Sequence, residues 1–64
     1  MEMLGRAAAF DTHGKPHRFE VYRSQMGYQI HLDGEEIRRT ATHMDAVRAI
    51  SSEAEKRGYR RREC

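Results

Sequence analysis

The sequence lacks tryptophan and long apolar runs, and it contains one cysteine and one proline in 64 residues. Because the lone cysteine, Cys64, cannot form an internal disulfide, a small secreted domain stapled by disulfides is excluded, and we expect a reducing, cytoplasmic location. No segment approaches the roughly 20 apolar residues of a membrane span, or the apolar core of a signal peptide. We therefore expect no contact with membranes.

The shortness of the chain limits both its core and its chemistry. We expect one small domain over residues 1–64, with a frayed N-terminus at 1–5 and a basic tail at 60–64. A chain of this length buries only about 60% of its unfolded surface. Little room remains for the concave pocket of about 300–1,000 Å³ that small-molecule sites use. An enzyme is therefore disfavoured, and we expect no cofactor.

Basic residues are concentrated at the end of the chain. Residues 56–64 carry five basic side chains and one acidic side chain, whereas residues 1–55 carry seven basic and nine acidic ones. The overall charge of +2 therefore comes from the tail, and the body is mildly acidic. A positive charge favours nucleic acid as a partner. Because the positive charge lies in the tail, the tail rather than the body would provide most of such binding.

A β-hairpin is the clearest local signal. The Asp-Gly pair at 33–34 is typical of a two-residue type I′ turn, because glycine adopts positive φ without strain. A turn at this point predicts that Ile30 lies opposite Ile37 and that His31 lies opposite Glu36. Both apolar residues then share one face of the sheet.

A second hairpin precedes the first. Residues 18–23 alternate between polar and apolar side chains. A short loop after them places Val21 opposite Ile30 and Phe19 opposite Leu32, so the two hairpins form a three-stranded meander with one apolar face. Residues 6–11 are interpreted as a fourth, edge strand.

One helix follows, over about residues 43–57. The Thr42 hydroxyl is suited to cap its first amides, and Asp45 suits the positive end of its dipole. Gly58 is well placed to end it. The apolar residues at helical spacing are Met44, Ala46, Val47, Ile50 and Ala54.

These elements predict an α+β fold. It is an antiparallel three- or four-stranded meander sheet with one C-terminal helix packed on one face, in the order ββββα or βββα. The predicted core consists of Phe19, Val21, Ile30, Leu32, Ile37, Val47 and Ile50.

The face of the sheet that the helix leaves uncovered is the first candidate site. Its side chains are polar and of mixed charge, which suits contact with a protein through cross-strand charge pairs. On this face His31 lies between Glu20 and Glu36, where carboxylates would favour the imidazolium. The predicted partner-binding residues are Arg18, Tyr22, Gln29, His31 and Arg38.

The helix start at 42–46, Thr-His-Met-Asp-Ala after three strands, resembles the arm-site DNA-binding domain of tyrosine recombinases. That family has a similar Thr-x-x-acid-Ala helix start, and the resemblance covers about two thirds of this chain. It implies a sheet that enters the major groove of DNA. The family's sheet is rich in lysine and arginine, whereas Glu20 and Glu36 occupy that face here and would oppose phosphate.

The arginine-rich tail is the second candidate site. Arginines beyond a helix end bind phosphates, acidic protein surfaces or the helix dipole itself. Binding of nucleic acid here would be weakly sequence-specific and strongly dependent on salt. The predicted nucleic-acid-binding residues are Arg57, Arg60, Arg61 and Arg62.

A metal site and a catalytic site are both disfavoured. Asp11, His13 and His17 have metal-like spacing, but they lie around a Gly-Pro loop and lack a fourth ligand of the kind that structural zinc uses. No serine or cysteine motif typical of a nucleophile occurs. We expect neither metal nor catalytic residues.

The sequence therefore favours a small non-enzymatic binding module that acts through protein-protein contact, as an inhibitor, adaptor or regulatory subunit would. The alternative is a small nucleic-acid-binding protein that uses the open sheet face and the tail. A third hypothesis is a homodimer, paired through the edge strand or through Met1, Met3 and Leu4.

Overall fold

The computed structural model describes residues 2–61, which form one antiparallel sheet with a helix packed on one face. In space the strands follow the order β4-β3-β2-β1-β5. This confirms the predicted α+β fold with four meander strands and a C-terminal helix. No helix in residues 2–61 is long and apolar enough to cross a membrane. The elements are β1 (Glu2–Phe10), β2 (Pro16–Ser24), β3 (Gly27–Leu32), β4 (Glu35–Thr40), α1 (His43–Lys56) and β5 (Arg60–Arg61).

The β2–β3 hairpin has the predicted register. Val21 pairs with Ile30, and Phe19 pairs with Leu32. Phe19 and Ile30 are the largest fully buried side chains of the described residues. Because opposed residues share a face in antiparallel pairs, these four residues provide the apolar surface on which the helix packs.

The β3–β4 hairpin has the predicted turn but a different register beyond it. Asp33 and Gly34 have φ values of 52° and 90°, as a type I′ turn requires, and His31 pairs with Glu36 as predicted. The predicted pairing of Ile30 with Ile37 is wrong, because Ile30 pairs with Arg38 in the structure. A β-bulge inserts Ile37 as an extra residue in β4 and moves every later residue of that strand to the opposite face.

The two ends of the chain are more ordered than predicted. The prediction of a frayed N-terminus is wrong for residues 2–5, because these residues belong to β1 and pair with β2. Two residues of the expected tail form β5, in which Arg60 pairs with Phe10 and Arg61 pairs with Ala9. The end of β1 is therefore covered rather than an open edge. Position 1 and positions 62–64 lie outside the described residues.

The helix begins and ends as predicted. The Thr42 hydroxyl accepts a hydrogen bond of 3.1 Å from the Asp45 amide. At the other end Gly58 has a φ of 75°, and the Tyr59 amide donates to the Ala54 carbonyl at 2.8 Å. These are the bonds that satisfy helix termini.

The helix face turned to the sheet differs from the prediction. Val47 is 46% exposed, so its placement in the core is wrong, and Met44 of the same apolar stripe is 65% exposed. Small side chains occupy the contact instead, and they let the helix lie close to β3 and β4. Leu32 and Ile37 pack on the core as partly buried residues. The buried apolar residues are Ala9, Phe19, Val21, Ile30, Ala46, Ala49, Ile50 and Ala54.

Candidate functional site

The face of the sheet opposite α1, called the open face below, brings together four of the five predicted partner-binding residues. Arg18, Tyr22, Gln29 and His31 all alternate with core residues along β2 and β3, so their side chains lie on the open face. Within residues 2–61, the polar and aromatic residues that the register places there are Arg6, Phe10, Arg18, Glu20, Tyr22, Ser24, Gln29, His31, Glu36, Arg39 and Arg60.

Arg38, the fifth predicted residue, is on the other face. It pairs with the fully buried Ile30, and its Nη1 lies 3.7 Å from Oε2 of Glu53 on α1. The bulge at Ile37 is the physical reason, because one extra residue reverses the alternation of a strand. Arg39 takes the predicted place of Arg38, opposite Gln29 on the open face.

An aromatic pair lies at the centre of the open face. The rings of Tyr22 and His31 contact each other with centroids 4.6 Å apart and an interplanar angle of 53°. His31 Nε2 also lies 3.3 Å from Gln29 Oε1. Both rings are partly buried, and such half-buried aromatic side chains offer contact area with little loss of side-chain entropy.

The two carboxylates of the open face are less available than the sequence indicates. Glu20 is 8% exposed, and its Oε2 lies 3.7 Å from Nε of Arg18. Glu36 is more exposed, but both of its carboxylate oxygens lie 3.1 Å from Nε of Arg39. Glu20 and Glu36, the two residues expected to disfavour contact with phosphate, are therefore partly neutralised by arginines of the protein itself.

Two further arginines lie on the open face: Arg6, which the sequence did not indicate as a site residue, and Arg60, which the sequence assigned to the tail. Arg6 pairs with Glu20 across β1 and β2, and Arg60 lies opposite Phe10 across β1 and β5. Both arginines are exposed. The alanine run that follows Arg6 has no polar-apolar alternation, so only the observed register assigns its face. With Arg18 and Arg39, the described residues place four arginines and two glutamates on the open face.

The predicted tail cluster is divided between different parts of the fold. Arg57 is partly buried and donates to a carboxylate oxygen of Glu53 on α1. Together with the other contacts of Glu53, this bond holds the pKa of that carboxyl below its usual range. Arg60 belongs to the open face, and Arg61 takes part in β5 through its backbone. Arg62 lies outside the described residues.

Hollows on the surface are open rather than enclosed. One, of about 480 Å³, lies beside Arg6, Pro16 and Arg18, and another, of about 360 Å³, lies beside Arg39 and Arg48. These volumes fall within the roughly 300–1,000 Å³ of small-molecule sites, which the length of the chain led us not to expect. Small-molecule sites usually bury most of their ligand, whereas these hollows are open to solvent.

A separate polar cluster forms at the end of the sheet that carries the β3–β4 turn. His17 Nε2 lies 2.9 Å from Asp11 Oδ2, and His17 Nδ1 lies 2.6 Å from Asp33 Oδ2. His13, the other candidate metal ligand, donates its backbone amide to Asp11. Residues 2–61 contain no group of three or more side chains that could hold a metal ion.

No family model, curated protein or solved structure matches this chain. Its function is therefore argued from the geometry and charge of the open face.

Proposed function

We propose that this protein is a small, non-enzymatic, cytoplasmic binding module whose open face contacts an acidic protein surface. The observation that carries the proposal is that four exposed arginines, Arg6, Arg18, Arg39 and Arg60, share the open face with the half-buried pair of Tyr22 and His31. Tyrosine and arginine are the residue types that contribute most to protein-protein contacts.

The charge pattern supports a protein partner over a uniform polyanion. One row across the sheet runs Glu36, His31, Glu20 and Arg6, so that charges of both signs lie side by side at its centre. A protein surface can match such a pattern residue by residue, and this complementarity sets orientation and specificity. A phosphate backbone offers only one sign of charge.

Nucleic acid is the second candidate, favoured by a different part of the open face. Arg6, Arg18 and Arg60 lie around the small apolar residues Ala8 and Pro16, away from Glu36. Arginines beside a flat surface suit phosphate contacts, and Tyr22 would stack on a base. These three arginines would then supply most of the affinity.

The experiment compares partner capture by the wild-type protein with capture by variants of the open face. Immobilised protein is exposed to extract from the native host after nuclease treatment. Tyr22→Ala and Arg39→Glu should each reduce recovery of the specific partner about tenfold or more, since a central contact residue contributes about 2 kcal/mol or more. Lys56→Glu changes an exposed basic residue in the last turn of α1, off the open face and apart from the hollow beside Arg39, and should leave recovery unchanged.

Titration with duplex DNA and RNA separates the two candidates. Amide shifts are followed at about 50 mM and 200 mM salt, because phosphate contacts weaken steeply over that range. For a protein-binding module we expect weak shifts that vanish at the higher salt. Shifts across Tyr22, Gln29 and Arg39 that persist at the higher salt would contradict the first proposal and support the second.

A further inference from the structure

His17 is held between two carboxylates that come from different parts of the chain. Asp11 lies in the β1–β2 loop and Asp33 in the β3–β4 turn, and each accepts from a different ring nitrogen of His17. The His17 side chain is only 14% exposed. The imidazole therefore joins two loops that are separated by a whole hairpin in the sequence.

Both carboxylates are fixed as hydrogen-bond acceptors. The second oxygen of Asp11 accepts the amides of His13 and Lys15 at 2.8 and 2.9 Å. The second oxygen of Asp33 accepts the Arg18 amide at 2.9 Å. An ionised carboxylate only accepts hydrogen bonds, and a neutral imidazole has only one N–H to donate. Two acceptors at the two ring nitrogens therefore select the doubly protonated, cationic ring.

The same ring supports the segment that leads into β5. The ring of Tyr59 stacks on His17 with centroids 4.5 Å apart and an interplanar angle of 8°. Tyr59 directly precedes Arg60 and Arg61, which pair with the end of β1. A cation against an aromatic face is attracted by the ring quadrupole, so the charge of His17 also favours this stack.

We propose that His17 is a proton-dependent clasp: its imidazolium ties the β1–β2 loop, the β3–β4 turn and the Tyr59–β5 segment together, and loss of its proton releases β5. When the ring is neutral, one nitrogen presents a lone pair to a carboxylate oxygen. That contact becomes repulsive, and the stack on Tyr59 loses its cationic component.

The charged groups around the clasp set the direction of its pH dependence. The hydrogen bond to Asp11, followed by the bond to Asp33, raises the pKa of His17 above its ordinary 6.5. Lys15 acts on Asp33 and helps to keep that carboxyl ionised. A group whose pKa is raised by folding stabilises the fold fully below its unfolded pKa and loses that effect as pH rises through the folded pKa. The clasp is therefore closed below about pH 6.5 and opens on the alkaline side of that value.

The experiment follows the ring protons of all four histidines by NMR from pH 5 to 10, together with the contacts between β1 and β5. We expect His17 to titrate above its ordinary pKa of 6.5. Nuclear Overhauser effects between the Ala9–Phe10 backbone and the Arg60–Arg61 backbone should weaken through the His17 midpoint. Asp33→Asn should lower that midpoint and shift the loss of these contacts to lower pH by the same amount.

Two further variants complete the test. His13→Gln removes an exposed histidine of the same loop and should leave the His17 midpoint unchanged. His17→Phe retains a ring for stacking on Tyr59, and its β1–β5 contacts should no longer change with pH. If this variant does not fold, the Asp33→Asn titration decides alone. The proposal is overturned if the His17 midpoint does not lie above 6.5, or if the β1–β5 contacts stay constant through that midpoint.

Discussion

At the residue scale, Gly27 shows how one position without a side chain permits two neighbouring elements to meet. It has a φ of 121°, outside the range that L side chains readily adopt. A Cβ at this position would lie 2.7 Å from the Thr40 carbonyl oxygen, in the backbone of β4. Both the conformation and the contact therefore require glycine at the start of β3.

Gly27→Ala should lower the free energy of unfolding by about 2–4 kcal/mol, since strain at positive φ costs about 1–3 kcal/mol and the clash adds to it. Gly34→Ala is the matched control, because Gly34 has a φ of 90° but a Cβ there would have no atom of another residue within 4 Å beyond its chain neighbours. Urea denaturation of both variants measures the difference. Equal losses in the two variants would show that the Thr40 contact contributes nothing.

At the element scale, α1 depends on small side chains for its contact with the sheet. Ala46 and Ala49 are 0% and 3% exposed, whereas Val47 is 46% exposed. The apolar stripe that helical spacing indicates is therefore turned by about one position from the face that is buried. A hydrophobic pattern predicts that a helix has a buried face. It also assigns large apolar residues at the edge of that face, such as Val47, to the core, although they are exposed.

The two sides of the helix should respond differently to substitution. Ala49→Leu inserts a large side chain into a close contact and should destabilise the protein by about 1–3 kcal/mol. Val47→Gln changes an exposed position and should stay within about 0.5 kcal/mol of wild type. Thermal unfolding of both variants tests this orientation of α1. A larger loss for Val47→Gln than for Ala49→Leu would reverse it.

At the scale of the whole molecule, ionic contacts link the ends of the elements and limit stability at low pH. The hydrogen bond to His17 lowers the pKa of Asp11 to about 2, and it also lowers the pKa of Asp33. The hydrogen bond from Arg57 lowers the pKa of Glu53, which contacts Arg38 on β4 and so joins α1 to the sheet. Each of these three carboxylates contacts a side chain of a different element: Asp11 and Asp33 contact His17 on β2, and Glu53 contacts Arg38 on β4.

The stability of the protein should therefore fall on the acid side. A carboxyl whose pKa is lowered by folding stabilises the protein above its unfolded pKa, and that effect is lost as pH falls through the folded pKa. We expect the unfolding temperature to fall from about pH 4.5 towards pH 2, the range between the ordinary pKa of these groups and the pKa of Asp11. Asp11→Asn should show a smaller fall over the same range. An equal fall in the unfolding temperature of that variant would contradict the role of Asp11 in stability at low pH.

The sequence alone predicted only part of the candidate site, because the faces of some residues depend on how the strands pair. Alternation along β2 and β3 placed Arg18, Tyr22, Gln29 and His31 correctly, because a strand's period depends on its own residues. It misplaced Arg38, since the bulge at Ile37 depends on how β4 meets β3. It missed Arg6 because the adjacent alanines show no alternation, so the pairing of β1 with β2 decides its face.

The sequence by itself determined the order of the meander strands and the helix, the turn at Asp33 and Gly34, and both ends of the helix. These features depend on local chemistry: positive φ at a turn, a hydroxyl at a helix start and a glycine at a helix end. Only the tertiary structure decided the bulge in β4, the pairing of β5 with β1 and the grouping of Asp11 and Asp33 around His17. Each of these depends on contacts between residues far apart in the chain, whose geometry follows from the packing of the sheet and helix as a whole.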